Sequence, residues 1–242
     1  MDTADLLRET PDIETASDNY ASRFSGSAGR YFLDVQEQAV HYVLRGRSFA
    51  SVLDVGGGHG QLVPIFLKYP SGLTILGSDE CTHKRVRESF PDAKIHFATG
   101  DVVHLPYPDR SFDIVIAVRL ISHIEHWETM LAEFCRVARQ SVVIDYPSWN
   151  SLNTFTPLLF NVKKSFEGNT RTYTSFFLGD LARVFKLHGF AIASTRKQLF
   201  LPMVLHRACH GARWLQRIEN VLSHLGVTAL FGSPVVIRAD RQ

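Results

Sequence analysis

The sequence predicts an α/β protein: a doubly wound, mostly parallel seven-stranded sheet with helices on both faces. Two observations point there. Short β-branched apolar runs alternate with amphipathic segments from Ser51 to Tyr146, the pattern that right-handed crossovers produce. The first run ends in a glycine-rich turn, Gly56-Gly57-Gly58-His59-Gly60, that leads into a helical segment, and glycines there let the backbone turn tightly and approach a ligand.

The elements follow in order. Ser17 to Phe24 reads as a short helix, Ser25 to Gly29 as a Gly-Ser hinge, and Tyr31 to Leu44 as a helix with Tyr31, Val35, Ala39 and Tyr42 at helical spacing. Ser51–Val55, Leu73–Ser78, Lys94–Ala98, Phe112–Val118 and Ser141–Tyr146 read as buried strands. Between them Gly60–Lys68, Thr82–Phe90 and Trp127–Ala138 read as helices, with Pro64 tolerated in the first turns of its helix. Pro147 to Tyr173 is long, aromatic and turn-rich. A helix over Ser175–His188, a strand over Phe190–Phe200, a helical segment over Met203–Leu225 and a last strand over Pro234–Arg238 complete the chain. The expected organisation is an N-terminal helical cap at 1–46 and one domain at 47–242. That domain carries a cover insertion at about 147–173 and a helical insertion at about 203–226.

Bulk properties narrow the classes. The chain has 242 residues, 45% of them hydrophobic, and a net charge of only +2. One sizeable core is expected, and no basic stripe of a dedicated nucleic-acid binder is present, so no nucleic acid is expected as partner. Cys81, Cys135 and Cys209 are scattered, which suits a reducing compartment better than a disulfide framework. Met1 to Asp18 is polar and unlike a signal peptide, and no apolar stretch reaches the ~18 residues of a membrane span. A cytoplasmic location with no transmembrane segment is the expectation.

The glycine spacing distinguishes among nucleotides. The dinucleotide fingerprint G-x-G-x-x-G fails, because Gly56 and Gly58 are followed by Gln61 where its third glycine belongs. Starting from Gly57 instead meets His59. What is present is D-x-G-x-G-x-G, read through Asp54, Gly56, Gly58 and Gly60, with Gly57 between. A carboxylate there is a poor neighbour for a pyrophosphate and a good one for an ammonium.

This motif resembles the first motif of the class I S-adenosylmethionine-dependent methyltransferases, and the resemblance covers roughly Ser51 to Tyr146. It implies a Rossmann-like sheet with an antiparallel last strand. It also implies that Asp54 reaches the methionine amino group, that Asp79 with Glu80 beside it accepts the ribose hydroxyls, and that Asp101, next to Val102, lies near the adenine amino group. The Phe112-Asp113-Ile114-Val115-Ile116-Ala117 run matches the fourth strand, whose end at Val118 and Arg119 supports the methionine portion. Ile121-Ser122-His123-Ile124-Glu125-His126 resembles the ubiquinone/menaquinone-biosynthesis type. Where that family often has a Pro-Gly-Gly turn before the fifth strand, this chain has Arg136-Val137-Ala138-Arg139-Gln140.

Other roles follow from the same resemblance. Tyr20, Phe24 and Arg30 precede the core; an aromatic face suits a sulfonium and Arg30 suits a carboxylate, or these residues only pack and solvate the leading helix. His123 is the candidate base, its alternative being a structural histidine. His59 either shapes the glycine loop or contacts the cofactor. Tyr146 and Tyr173 are candidates for positioning an acceptor. Asp101 can also simply cap a turn.

His206 and His210 have i, i+4 spacing but no third ligand, so a helix-surface pair and no metal are expected. The cluster Phe155, Phe160, Phe166, Tyr173, Phe176 and Phe177 lines either an apolar pocket or the core of the cover. Arg171 and Lys163/Lys164 meet an anionic group or keep the surface soluble. The segment Leu205–Ile218 mixes Trp214 and Leu215 with Arg207, Arg213 and Arg217, as a membrane-touching helix or one packed on its own domain would.

The expected cofactor is S-adenosylmethionine, giving S-adenosylhomocysteine, and the expected partner is a small methyl acceptor. The alternatives are methylation of RNA or protein, a non-catalytic binding protein, and an NAD-dependent oxidoreductase, the last disfavoured by Gln61 and Asp54. The sequence leaves the oligomeric state open.

Overall fold

The computed structural model describes residues 22–151 and 174–242. Seven strands form one sheet: β1 (Ser51–Val55), β2 (Gly72–Gly77), β3 (Ile95–Thr99), β4 (Phe112–Ala117), β5 (Ala138–Tyr146), β6 (Phe190–Leu199) and β7 (Ser233–Arg241). Their spatial order is β3-β2-β1-β4-β5-β7-β6. The first five strands pair in parallel. The last strand runs antiparallel to both β5 and β6. The Rossmann-like expectation, including its antiparallel last strand, matches this sheet.

The helices are α1 (Gly26–Leu44), α2 (Val63–Phe66), α3 (Lys84–Ser89), α4 (Trp127–Val137), α5 (Leu178–Leu187), α6 (Met203–Ala208), α7 (Arg213–His224) and α8 (Val227–Phe231). They cover both faces because the central strands are apolar on both. Val115 and Ala117 of β4 join the core under α4 and α5, with Leu131, Phe134, Leu181 and Phe185. Ile114 and Ile116, one residue out of phase, join the core under α1, α2 and α3, with Val40, Val43, Ile65 and Val86. Period-2 alternation thus feeds two cores from one strand.

Several local expectations need correction. The Gly-Ser stretch is not a hinge: α1 begins at Gly26. A side chain at Gly29 would lie 2.1 Å from the Phe24 carbonyl carbon, so its glycine serves a close approach. The helix expected from Tyr31, Val35, Ala39 and Tyr42 is present, and its buried face runs through Phe32, Gln36, Ala39, Val40 and Val43. The helix after the glycine loop is only the four residues of α2. The long helical segment near the end breaks into α6 and α7 at His210 and Gly211, both with positive φ. There Ser27 Oγ donates to the His210 carbonyl, locking the break against the start of α1.

Asp113 ties the first and fourth strands at their entry. Its Oδ2 accepts the amides of Ala50 (2.8 Å) and Ser51 (3.2 Å), and its Oδ1 accepts from Arg139 (2.6 Å). In return its own amide donates to Ser51 Oγ at 3.0 Å. Asp113 is buried, so truncation leaves two amides and one cation short of an acceptor. Urea denaturation of Asp113→Ala is expected to show a loss of about 2–4 kcal/mol with an unchanged m-value.

Candidate functional site

Parallel sheets of this type place ligand-facing groups at the carboxyl ends of the strands, beside the switch in strand order. Here β1 is that switch, flanked by β2 on one side and β4 on the other. Five neighbouring strands each end in a polar group. In spatial order these are Asp101 after β3, Asp79 after β2, Asp54 in β1, Arg119 after β4 and Asp145 in β5.

Asp54 is the central member. It stands on the α1 side of the sheet, in phase with Val52, and is 1% exposed. Its Oδ2 has no hydrogen-bond partner among the described residues. Burial pushes its pKa up to about 7, because desolvation disfavours the charged form. The glycine loop sits directly on it. A Cβ at Gly57 would lie 2.1 Å from Asp54 Oδ2, and one at Gly58 would lie 3.0 Å from both the Thr82 Cβ and the Thr82 carbonyl oxygen. Gly56 and Gly60 have φ of +77° and +66°, where a side chain is strained. The Gly56 amide donates to Leu76 O at 2.8 Å, and the Gly60 amide closes the turn onto Gly57 O at 2.9 Å.

The next two carboxylates hold turns and keep exposed surface. Asp79 is exposed; its Oδ1 accepts the Cys81 amide at 2.9 Å, which holds its carboxyl below the usual range. Glu80 instead pairs with Arg87 at 2.8 Å. Asp101 is half-buried, with Oδ1 accepting the Val103 amide at 3.0 Å, the turn-capping arrangement. Val102 is partly buried against the α4 core.

On the other side of β1, Val118 packs against the α1-side core, and Arg119 turns the chain with φ of +61°. Its amide donates to Asp145 Oδ1 at 2.5 Å, and its guanidinium lies 4.0 Å from the Phe24 ring centroid. The N-terminal aromatic that was a candidate sulfonium neighbour therefore stacks on Arg119. Asp145 is buried, and burial lifts its pKa to about 6 against the opposing pull of the Arg119 amide and charge. Sequence reasoning missed Asp145; the available signal was a lone carboxylate closing the apolar run Val142-Val143-Ile144. His59 is held neutral, its pKa lowered to about 4 by burial and by the charges of Arg85 and Arg119.

The other candidates are more dispersed. His123 is half-buried at the end of a 3-10 turn, with its amide on Leu120 O at 3.0 Å. The adjacent Ser122 carbonyl accepts the Thr174 amide at 2.9 Å. Tyr146 is buried in the α4/α5 core, one residue out of phase with Asp145, and burial lifts its pKa to about 12. Arg30 is exposed near the start of α1. Tyr20 and Tyr173 lie outside the described residues, as do Phe155, Phe160, Phe166, Lys163, Lys164 and Arg171. Of the aromatic cluster, Phe176 is buried against Trp127, and Phe177 stacks on Trp149 with centroids 6.1 Å apart. His206 and His210 are not a surface pair: His206 is fully buried and meets Glu219 at 3.2 Å.

Comparisons with known proteins bear on the fold and on the segment around the glycine loop. A family model described as a methyltransferase domain matches residues 53–144. A 2-methyl-6-phytyl-1,4-hydroquinone methyltransferase of Synechocystis sp. is 32% identical over 102 residues, covering 41% of this chain and 32% of that protein. A norajmaline N-methyltransferase of Rauvolfia serpentina is 29% identical over 108 residues, covering 41% of this chain and 37% of that protein. The chain thus spans about a third of the length of these relatives. Among solved structures, a magnesium protoporphyrin IX methyltransferase of Synechocystis with bound S-adenosylhomocysteine shares the fold, with a TM-score of 0.63 at 15% identity and full coverage of both chains. The glycine loop and the strand-end groups from Asp54 to Arg119 all lie inside the segment, residues 53–144, that matches the methyltransferase-domain model.

Proposed function

We propose that this protein transfers the methyl group of S-adenosylmethionine to a small, apolar or aromatic acceptor. One observation carries the reading: the ordered row Asp101, Asp79, Asp54, Arg119, Asp145 along five adjacent strand ends, with a glycine loop pressed on its middle member. Asp54 Oδ2, buried and lacking a partner among the described residues, fits an ammonium, whose arrival would offset its desolvation. Gly57 and Gly58 leave no room for side chains of their own and so keep the loop amides open to the ligand. Asp79, rather than the Arg87-bound Glu80, would take the ribose hydroxyls. Asp101 and Val102 would flank the adenine, and Val118 and Arg119 the methionine end. S-adenosylmethionine supplies an activated methyl group on a sulfonium and leaves as S-adenosylhomocysteine.

The chain's own contribution is chiefly placement. Holding an acceptor in line with that methyl group can account for about 7–11 kcal/mol of the barrier. Trp149 and Phe177, each about half exposed and stacked at an interplanar angle of 19°, offer an aromatic surface beyond the carboxyl end of β5. That surface supports an apolar or aromatic acceptor, with Tyr146 and Tyr173 as the proposed positioning tyrosines. Tyr20 and Arg30 are proposed cofactor contacts from the N-terminal segment. His123, beside the point where Thr174 docks, is the proposed base for an acceptor that must lose a proton.

Three measurements test this. Calorimetry is expected to find S-adenosylhomocysteine binding with no response to NAD. Gly58→Val, which drives a side chain into Thr82, and Asp79→Ala are each expected to weaken that binding at least about tenfold. Unchanged affinity in both would remove the site from this loop. His123→Gln is expected to lower turnover of an identified acceptor about 100-fold while leaving S-adenosylhomocysteine affinity within about twofold.

Asp54→Asn tests the buried carboxylate through stability. The folded-state pKa of about 7 lies above the ordinary 3.8. The Asp54 contribution is therefore fully favourable below about pH 4 and is lost as pH rises through about 7. At pH 8 without ligand, Asp54→Asn is expected to stabilise the protein by about 1–3 kcal/mol, the gain shrinking toward pH 5, while S-adenosylhomocysteine binding weakens. A destabilised variant at pH 8 would contradict the assignment.

A further inference from the structure

Helix α7 is seated by one side only. Leu215 and Glu219 are its buried residues. Glu219 accepts the amides of Phe200 (3.0 Å) and Leu201 (2.8 Å) and meets His206 at 3.2 Å. The outward side carries Trp214, Ile218, Val221 and Leu225, exposed by 55%, 40%, 57% and 72%. Their spacing of i, i+4, i+7 and i+11 puts them on a single stripe. Beyond the turn at Gly226, α8 exposes two more apolar side chains, Leu230 and Phe231. At 100° per residue, Arg213, Arg217 and His224 line one edge of the stripe, and all three are exposed. The helix has one carboxylate, Glu219, and that is turned inward.

An exposed apolar band of this length marks an interaction surface. A rim of cations with no outward anion selects an anionic occupant. A tryptophan beside arginines suits the boundary between water and acyl chains. No described helix is long and apolar enough to cross a membrane, so the geometry is that of a helix lying in the interface plane. We propose that the α7–α8 surface docks this protein peripherally on a bilayer containing anionic lipid. Trp214, Ile218, Val221 and Leu225 enter the headgroup boundary, and Arg213 and Arg217 meet lipid phosphates and carboxylates. The inference stands independently of the proposed reaction.

Co-sedimentation with phosphatidylcholine vesicles, with and without phosphatidylserine, tests it. The wild-type chain is expected to bind the mixed vesicles at low salt, with blue-shifted tryptophan emission, and to release as salt rises. It is expected to bind phosphatidylcholine alone far less. A triple variant Trp214→Ser, Ile218→Ser, Leu225→Ser and a double variant Arg213→Glu, Arg217→Glu are each expected to bind about tenfold less or weaker, with unchanged thermal midpoints. Absence of wild-type binding to the mixed vesicles, or binding that survives in both variants, would overturn the proposal. So would a wild-type dimer in solution that the triple variant dissociates, since the stripe would then be a contact between two copies.

Discussion

A carboxylate buried beneath a glycine turn organises this molecule. Asp54 occupies a position in β1 that the neighbouring strands fill with Ile75 and Ile116. An ordinary sheet would place an aliphatic residue there. Burial disfavours its charge and lifts its pKa to about 7, and the loop above can approach it only through glycine at residue 57. A fold that keeps such a group is less stable at neutral pH than one that replaces it. Retention of that penalty is understandable if the group meets a cation in the working state.

The rest of the architecture presents that position. Central strands apolar on both faces draw α1, α2 and α3 to one side and α4 and α5 to the other, leaving only the strand ends for polar groups. Strand order then sets the sequence of those groups in space, so that residues nearly 50 apart in the chain, such as Asp54 and Asp101, become members of one row. Asp113, at the opposite end of β4, holds the entry of β1. Arg119 joins the row to the N-terminal segment, because its backbone is fixed by Asp145 and its guanidinium stacks on Phe24.

What was legible in the sequence was what local pattern controls. Strands β1 and β4 read clearly as β-branched runs, and the spacing of Gly56 to Gly60 against Gln61, with Asp54 before it and Asp79 and Asp101 after it, carried the nucleotide distinction. What local pattern does not control was harder to see. The length of α2 is set by how soon the chain must drop to β2, not by the helical propensity of Gly60–Lys68. The Tyr31 row carried the helical period of α1, but its buried face is chosen by tertiary packing, Phe32 with Leu199 and Val40 in the core under β1 and β4. His206 looked like a surface residue because its partner, Glu219, is thirteen positions away on another helix. Asp145 was passed over for the same reason: its role depends on the Arg119 amide, which only the β4–β5 pairing brings within reach. Asp79 was the strand-end carboxylate and Glu80 a neighbour that could share its role, and the pairing of Glu80 with Arg87 separates the two.

The most direct test is the pH dependence of ligand affinity, measured by calorimetry between pH 5 and 8 for two ligands, S-adenosylhomocysteine and 5′-methylthioadenosine. The first carries the amino-acid ammonium and the second lacks it. If Asp54 must ionise to meet that ammonium, S-adenosylhomocysteine affinity falls about tenfold per pH unit below its folded-state pKa, while methylthioadenosine affinity stays nearly flat. Parallel curves for the two ligands would mean that the buried carboxylate does not meet the amino-acid end, and would contradict the assignment of Asp54 as the centre of the site.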